Sequence, residues 1–244
     1  MSRRTIGGDN QGMTRWVFVL ALVAGWACDA LGQDYHAKAT MAAYEAGGNP
    51  SLDLNFRYSS GDVTGWVGYY GTSDHDHQGR AGVEYDFKRH DVYLVPSVQI
   101  ASHGFVGGSF YSELGPAVYA IAGVSRTNLH PYANLTFDPN ESWQLGAGWH
   151  MGEDSLAGYT IWDNRLHTGQ QITHLVLKHY LPRKRRVTLD TSYKSGHGDE
   201  GVYVRGVAEQ VEYDWGRWFA KGAVDAHANY GPDTMVRAGG GFRF

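Results

Sequence analysis

Apolar and polar residues alternate along the chain from about Ser51 onward, in runs of roughly ten residues separated by short polar breaks. In the run 52–58 the apolar residues occupy the even positions, and in the run 80–87 they occupy the odd positions. A period of two residues is that of a β-strand with one apolar and one polar face. The pattern therefore predicts an all-β chain of consecutive antiparallel strands joined by turns.

Two runs depart from simple alternation. Pro96 lies within the run 92–100 and cannot donate a backbone hydrogen bond, which predicts a bulge or a local break in pairing there. In the run 201–213 the apolar phase shifts between Val204 and Val207, which predicts a β-bulge in that strand. Both features are local, and the strand assignment is the same with or without them.

The polar faces of the runs carry charges of both signs in one strand after another. A soluble β-sandwich also alternates, but its buried face would hold more Ile, Leu and Val, and its polar face would not collect opposite charges in this way. The mixture of positive and negative charges is better explained by a β-barrel with a water-filled lumen, whose inner wall is crossed by ion pairs. The residues assigned to the inner wall are Asp53, Arg57, Arg80, Glu84, Asp86, Asp190, Lys194, Arg205, Glu209, Lys221, Asp225, Arg237 and Arg243.

The last run reaches the end of the chain and finishes on an aromatic residue. Its apolar face holds Val236, Ala238, Phe242 and Phe244, and its other face holds Arg237, Gly239, Gly241 and Arg243. This ending resembles the C-terminal assembly signal of Gram-negative outer-membrane β-barrel proteins, in which a polar residue, a glycine and two aromatics precede the C-terminus. The residues that fill those places are Arg237, Gly239, Phe242 and Phe244.

The resemblance implies a protein of the outer membrane of a Gram-negative bacterium. Its expected partners are the barrel assembly machinery, which would bind the C-terminal strand, and outer-membrane lipid and lipopolysaccharide.

Residues 1–32 have the features of a secretory signal peptide, because Arg15 precedes the apolar run 16–27, which is too short to span a bilayer as a helix. Met13 is an alternative start. The expected plan is 33–50 as an N-terminal segment or first strand and 51–244 as a single barrel domain.

Composition agrees with this interpretation. The 244 residues include 33 glycines, about twice the ordinary share of ~7 %, and aromatic residues make up 14 %. Glycine disfavours helices, whereas barrel strands tolerate it and place aromatics at the membrane interfaces. The mean hydropathy of -0.41 fits a barrel in which every second residue faces the lumen. The net charge of -4 argues against a nucleic-acid-binding protein.

Fourteen alternating runs follow Ser51, and the earlier run Ala37–Ala46 is a further candidate. A membrane-crossing strand needs about 9 to 11 residues, which would leave few for turns, so some neighbouring runs are expected to merge. Barrels of this type have an even number of strands. We therefore predict a transmembrane antiparallel up-and-down β-barrel of 12 strands, with 10 or 14 as alternatives, short connections and no plug or lid.

The 12 histidines raise the question of an enzyme, because outer-membrane barrels include lipid A deacylases and phospholipases with a serine and a histidine on neighbouring strands. Ser102 and His103 are adjacent, and adjacent residues of a strand point to opposite faces, so a polar turn is the better interpretation. His174 with Asp190, or His227 with Asp225, could meet as structural histidines of the inner wall. No catalytic constellation and no cofactor are predicted.

The stretch Asp74-His75-Asp76-His77 is the densest group of metal-ligand residue types in the chain. His75 and His77 would lie on one side of an extended segment, but the sequence identifies no third ligand. A hydrophilic loop is the better interpretation, and no metal site is assigned.

The predicted function is a passive channel for small polar solutes or a structural role in the outer membrane. Opposite charges on the inner wall could define a path for zwitterionic or sugar-like solutes, or could cross-link and close the lumen. The alternative is an outer-membrane lipid-modifying enzyme with a Ser/His site at the rim. The sequence indicates neither the solute nor the oligomeric state.

Overall fold

The computed structural model describes residues 35–74, 76–133, 140–163, 166–198 and 201–244. The predicted signal peptide, 1–32, lies outside the described residues. The strands are β1 (Ala37–Ala46), β2 (Asn49–Ser60), β3 (Val63–Thr72), β4 (His77–Tyr85), β5 (Phe87–Arg89), β6 (Val92–Ala101), β7 (Phe105–Leu114), β8 (Val118–Thr127), β9 (Ser142–Met151), β10 (Asp154–Asp163), β11 (Gln171–Leu181), β12 (Arg185–His197), β13 (Tyr203–Trp215), β14 (Trp218–Asp225) and β15 (Met235–Arg243). Two 3₁₀ turns are Ser102–Gly104 and Ala228–Tyr230. Among these residues, no helix is long and apolar enough to cross a membrane.

The strands form one closed antiparallel barrel. Each strand pairs with its neighbours in the chain, and β1 pairs with β15, which closes the wall. The short strand β5 continues β4, because both pair with β6 in the same register. The described wall thus has 14 strand positions, and the prediction of 12 is wrong, whereas the alternative of 14 is correct. The expected merging does not occur, because many connections are only two or three residues long.

The break between β4 and β5 lies opposite Pro96. Pairing of β4 with β6 ends at Glu84 and Ser97, and pairing of β5 with β6 begins at Phe87 and Leu94. Proline has no N–H to donate to that side of the ladder. The predicted local break at Pro96 is therefore confirmed, and no residue is inserted there.

The bulge predicted for the run 201–213 is absent from β13. This strand keeps one register with β12 from Arg185 and Trp215 to His197 and Tyr203, and one register with β14. The shift in the apolar phase instead reflects charged residues on the apolar face of a regular strand.

The two ends of the barrel differ. Both termini of the barrel and a set of two- and three-residue connections lie at one end, which we call the turn side. These connections are 61–62, 90–91, 115–117, 152–153, 182–184 and 216–217. The opposite end, the loop side, carries the longer connections 128–141, 164–170 and 226–234. Outer-membrane barrels have short periplasmic turns and longer extracellular loops, and this asymmetry matches theirs.

The outer face of the barrel is an apolar band. On β9 the side chains of Trp143, Leu145 and Trp149 are 40 %, 50 % and 52 % exposed. Trp143 stacks on Trp162 near the loop side at 4.3 Å between ring centroids, and Trp149 lies near the turn side. A continuous exposed apolar surface of this extent is unfavourable in water and indicates contact with lipid.

Candidate functional site: the barrel lumen

The register of the strands brings most of the predicted lumen residues to the inner face. Residues directly opposite one another in a ladder point to the same side of the sheet. Asp53 lies opposite Ala42, and Arg237 lies opposite Tyr44, and both partners belong to an apolar cluster inside the barrel. The predicted residues that the structure places on this face are Asp53, Arg57, Arg80, Glu84, Asp86, Asp190, Lys194, Lys221, Asp225, Arg237 and Arg243.

The structure places the other two predicted lumen residues, Arg205 and Glu209, on the outer face, and their assignment to the inner wall is corrected. They alternate with the inward-facing Ala208, and they share a face with Val207 and Val211, which are 50 % and 46 % exposed. Glu209 accepts a hydrogen bond from the Thr191 hydroxyl at 2.8 Å. The sequence analysis inferred a bulge from the phase shift between Val204 and Val207, whereas β13 is regular and both charged residues occupy its outward positions.

Two ion pairs connect β2 to β4 across the intervening strand β3. Arg80 donates to Asp53, and Arg57 donates to Glu84. The Arg80 side chain reaches over β3 at Gly68, where an added Cβ atom would lie 2.8 Å from the Arg80 Nε atom. Gly68 therefore leaves the space that the ion pair between Arg80 and Asp53 occupies.

A fully buried ion pair lies at the loop side between β12 and β14. Lys194 and Asp225 are both 0 % exposed and are in direct contact. The Lys194 Nζ atom also donates to the backbone oxygen of His227 at 3.1 Å. His227 itself bonds to the backbone oxygen of Gly231 through Nδ1 at 3.0 Å. The sequence offered a contact between His227 and Asp225 as one alternative. In the structure Asp225 instead pairs with Lys194.

The loop 226–234 folds inward over this ion pair. Tyr230 is 4 % exposed, and its hydroxyl donates to the backbone oxygen of Gln171 on β11 at 3.1 Å. The ring of Tyr230 also lies 5.5 Å from the Lys194 Nζ atom. The loop therefore covers the loop-side ends of β11 to β13.

A second connection turns inward on another part of the same mouth. Tyr132 stacks on the buried ring of Phe105 at 4.3 Å, and the Ala133 N–H donates to the side-chain oxygen of Gln78 on β4 at 2.9 Å. Residues 128–133 thus cross from the end of β8 toward β4. These two connections are longer than the short connections expected from the sequence, and both turn inward at the loop side.

The turn side of the lumen holds a further ionic network. Arg186 contacts Asp214 at 2.9 Å and Glu212 at 3.6 Å, and Arg243 contacts the same two carboxylates. Lys38 and Arg243 lie over the ring of Phe219, at 4.3 and 4.6 Å from its centroid. The sequence analysis did not single out Glu212, Asp214 or Phe219 as residues of the lumen.

The wall formed by β6 to β8 is mostly uncharged and rich in hydroxyl groups. The hydroxyls of Tyr93 and Tyr111 donate to Asp86 and Glu113, each at 2.6 Å. Further inward-facing side chains of this wall are Ser97, Gln99, Ser109, Tyr119 and Ser125. The sequence analysis left these uncharged residues out of the predicted inner wall, because it selected the residues of that wall by charge.

His174 and Asp190 meet on the inner wall, as one of the alternatives proposed. They share a hydrogen bond of 2.8 Å, and His174 is 4 % exposed and stacks on Tyr159 at 4.9 Å.

Ser102 and His103 lie in a 3₁₀ turn, in which Ser102 accepts a hydrogen bond from the Gly79 N–H at 3.2 Å. The interpretation of that pair as a polar turn is confirmed.

The possible metal-binding stretch is only partly described. His75 lies outside the described residues, whereas Asp74, Asp76 and His77 lie inside them. In the part of the chain that the structure describes, no three His, Cys, Asp or Glu residues are grouped closely enough to hold a metal ion.

Known structures share this fold. The outer membrane protein Omp33 of Acinetobacter baumannii matches with a TM-score of 0.59 at 10 % identity, over 86 % of this chain and 98 % of that one. The NanC porin matches with a TM-score of 0.50 at 9 % identity, over 84 % of this chain and 100 % of that one. No family model and no curated protein matches the chain. The resemblance to Gram-negative outer-membrane β-barrel proteins is therefore confirmed at the level of the fold.

Proposed function

We propose that the protein is an outer-membrane channel for small polar solutes, with its turn side in the periplasm and its loop side outside the cell. The observation that carries the proposal is the contrast between the two faces of one closed wall. The outer face exposes apolar side chains such as Val83 and Leu145, and the inner face carries ion pairs such as Arg57 with Glu84. A closed wall leaves no unpaired strand edge in lipid, and polar inner groups support a wet path.

Two features of the lumen favour small solutes. The loops 128–133 and 226–234 both turn inward at the loop side, so the entrance is narrower than the barrel itself. Most charged groups of the inner wall are held in ion pairs with residues of nearby strands, such as Arg80 with Asp53 across β3. Such cross-links fix the side chains against the wall and keep them from collapsing across the lumen.

The proposal is tested with folded protein in planar lipid bilayers. Addition of the barrel should produce stepwise increases in conductance, and heat-denatured protein at the same concentration should produce none. The heat-modifiable gel shift shows whether the barrel is folded. A folded barrel without conductance in lipid would contradict the channel and favour a structural role.

Assembly through the C-terminal strand gives a further prediction. Phe244 extends the seam between β15 and β1, because its N–H and its carbonyl oxygen both bond to Ala37, at 2.9 and 2.8 Å. Deletion of Phe244 shortens the closing seam and removes the C-terminal aromatic, and exposed strand edges are costly in lipid. We expect the deletion variant, and Phe244→Ser to a lesser degree, to be degraded or retained in the periplasm.

The measurement is the amount of folded barrel in outer-membrane fractions. Trp218→Ser is the matched control, because Trp218 is an aromatic of the outer face on the neighbouring strand and contacts Phe242 at 4.7 Å. Normal outer-membrane levels of the Phe244 deletion variant would contradict the role of the C-terminus.

A further inference from the structure

Two lysines of the inner wall differ from the cations around them. Lys38 on β1 lies opposite Arg57 and Arg243, and Lys221 on β14 lies opposite Glu212, so both belong to the inner face. Arg57 and Arg243 are each held by carboxylates. Among the described residues, neither Lys38 nor Lys221 has a carboxylate oxygen within the 4.0 Å of an ion pair. Neither ammonium group therefore makes a direct ion pair within the described part of the chain.

The strand between the two lysines carries no side chain at their level. β15 separates β14 from β1, and its inward positions at this level are Gly239 and Gly241. Gly239 lies directly opposite Lys221 on one side and Ala42 on the other. Neither glycine has a side chain that could accept a hydrogen bond from the lysines. The ring of Phe219 on β14 occupies the space in front of Gly241 and contacts Lys38 on one side.

Other cations border this strip of the wall. Arg237 and Arg243 occupy the inward positions of β15 on either side of the two glycines, and Arg57 lies opposite Lys38 on β2. The wall of β6 to β8 carries hydroxyl groups and the carboxylate Glu113, and Asp86 lies beside it between β4 and β5; both carboxylates accept hydrogen bonds from tyrosines. The excess of positive charge is thus concentrated on β14, β15 and β1.

We propose that Lys38 and Lys221 form a binding position for the carboxylate or phosphate groups of small anionic solutes, and that they make the lumen anion-selective. This inference rests on the proposed channel and names its preferred solute class. An ammonium group has three donors and no acceptor, so it binds an oxyanion and repels a cation. Charges on a low-dielectric wall raise the local concentration of counter-ions. Because ammonium groups act as point charges, they do not demand one particular anion geometry.

The first test measures the reversal potential of the channel in a potassium chloride gradient. The wild-type barrel should pass chloride in preference to potassium. Lys38→Gln and Lys221→Gln should each lower the chloride-to-potassium permeability ratio by about fourfold. One unit charge roughly 10 Å away in water changes the local chloride concentration about twofold and the local potassium concentration about twofold in the opposite direction. The corresponding glutamate variants should lower it further. Arg205→Gln is the matched control, because it removes one positive charge from the outer face.

The second test measures binding and does not depend on conduction. Citrate is titrated into the detergent-folded barrel at low ionic strength and followed by calorimetry. The double variant Lys38→Gln/Lys221→Gln should bind citrate at least about fourfold more weakly than the wild type, and Arg205→Gln should bind it equally well. Absence of conductance in every variant, together with this loss of citrate affinity, would reject the channel and retain the anion site. A cation-selective wild-type channel, or equal citrate affinity of the wild type and the double variant, would overturn the inference.

Discussion

Asp225→Asn is expected to destabilise the barrel by about 3–5 kcal/mol, the usual cost of removing one partner from a buried ion pair. Asp225 is in contact with the Lys194 ammonium, and both residues are fully buried. The neutral amide would leave the lysine charge without its carboxylate in a site that solvent does not reach. The backbone oxygen of His227, which also accepts from Lys194, offers only a partial substitute.

The measurement is the urea midpoint of the folded barrel in lipid vesicles, followed by the gel shift. Asp154→Asn is the matched control, because Asp154 accepts a hydrogen bond from the Tyr180 N–H at 2.8 Å on the surface and also contacts His179. Surface pairs of this kind contribute little, so its midpoint should hardly move. The double change Lys194→Met/Asp225→Leu removes both charges and should recover most of the loss.

Equal urea midpoints for the wild type and Asp225→Asn would show that the ion pair is not required for stability. A loss that the double variant does not recover would point instead to the shape of the packed site beneath the loop 226–234.

The fold could be predicted from the sequence because a barrel strand is regular. In β2 every apolar residue from Leu52 to Tyr58 faces one way, and a period of two leaves no other arrangement for a strand between water and lipid. The number of strands was harder to predict, because it depends on the lengths of the connections. The runs on either side of 61–62 and 216–217 were separated correctly, and the error was to expect some neighbouring runs to merge so that enough residues remained for turns.

The errors in β13 have a different cause. Arg205 and Glu209 were assigned to the lumen on the assumption that a charged residue avoids the lipid-facing side. In the structure they lie toward the loop side of β13, and Glu209 has a hydroxyl partner on β12. Long polar side chains near a membrane interface can reach the lipid headgroups. Close to the interface, the alternation of residues therefore predicts which face of a strand a residue occupies better than its charge does.

The contacts that shape the lumen could not be predicted from one strand at a time. Arg80 meets Asp53 only because β2, β3 and β4 lie in a fixed register and because β3 has a glycine between them. The inward folding of residues 128–133 depends on Gln78, which lies far away in the sequence. Both features follow from the three-dimensional arrangement of the wall.

Val83→Arg is expected to impair folding of the barrel in lipid by about 2–4 kcal/mol, the cost of an outward arginine near the bilayer midplane. Val83 lies midway along the span from His77 to Arg89 and is 41 % exposed on the outer face. Ser97→Arg is the matched control on the facing strand: Ser97 lies opposite Glu84 on the inner face, where a new arginine would meet water and a carboxylate. Urea midpoints in lipid vesicles and the gel shift compare the two variants. If both arginine variants fold as well as the wild type, the assignment of the outer face to the membrane is wrong. If only Val83→Arg lowers the urea midpoint, the wall has lipid on one side and water on the other.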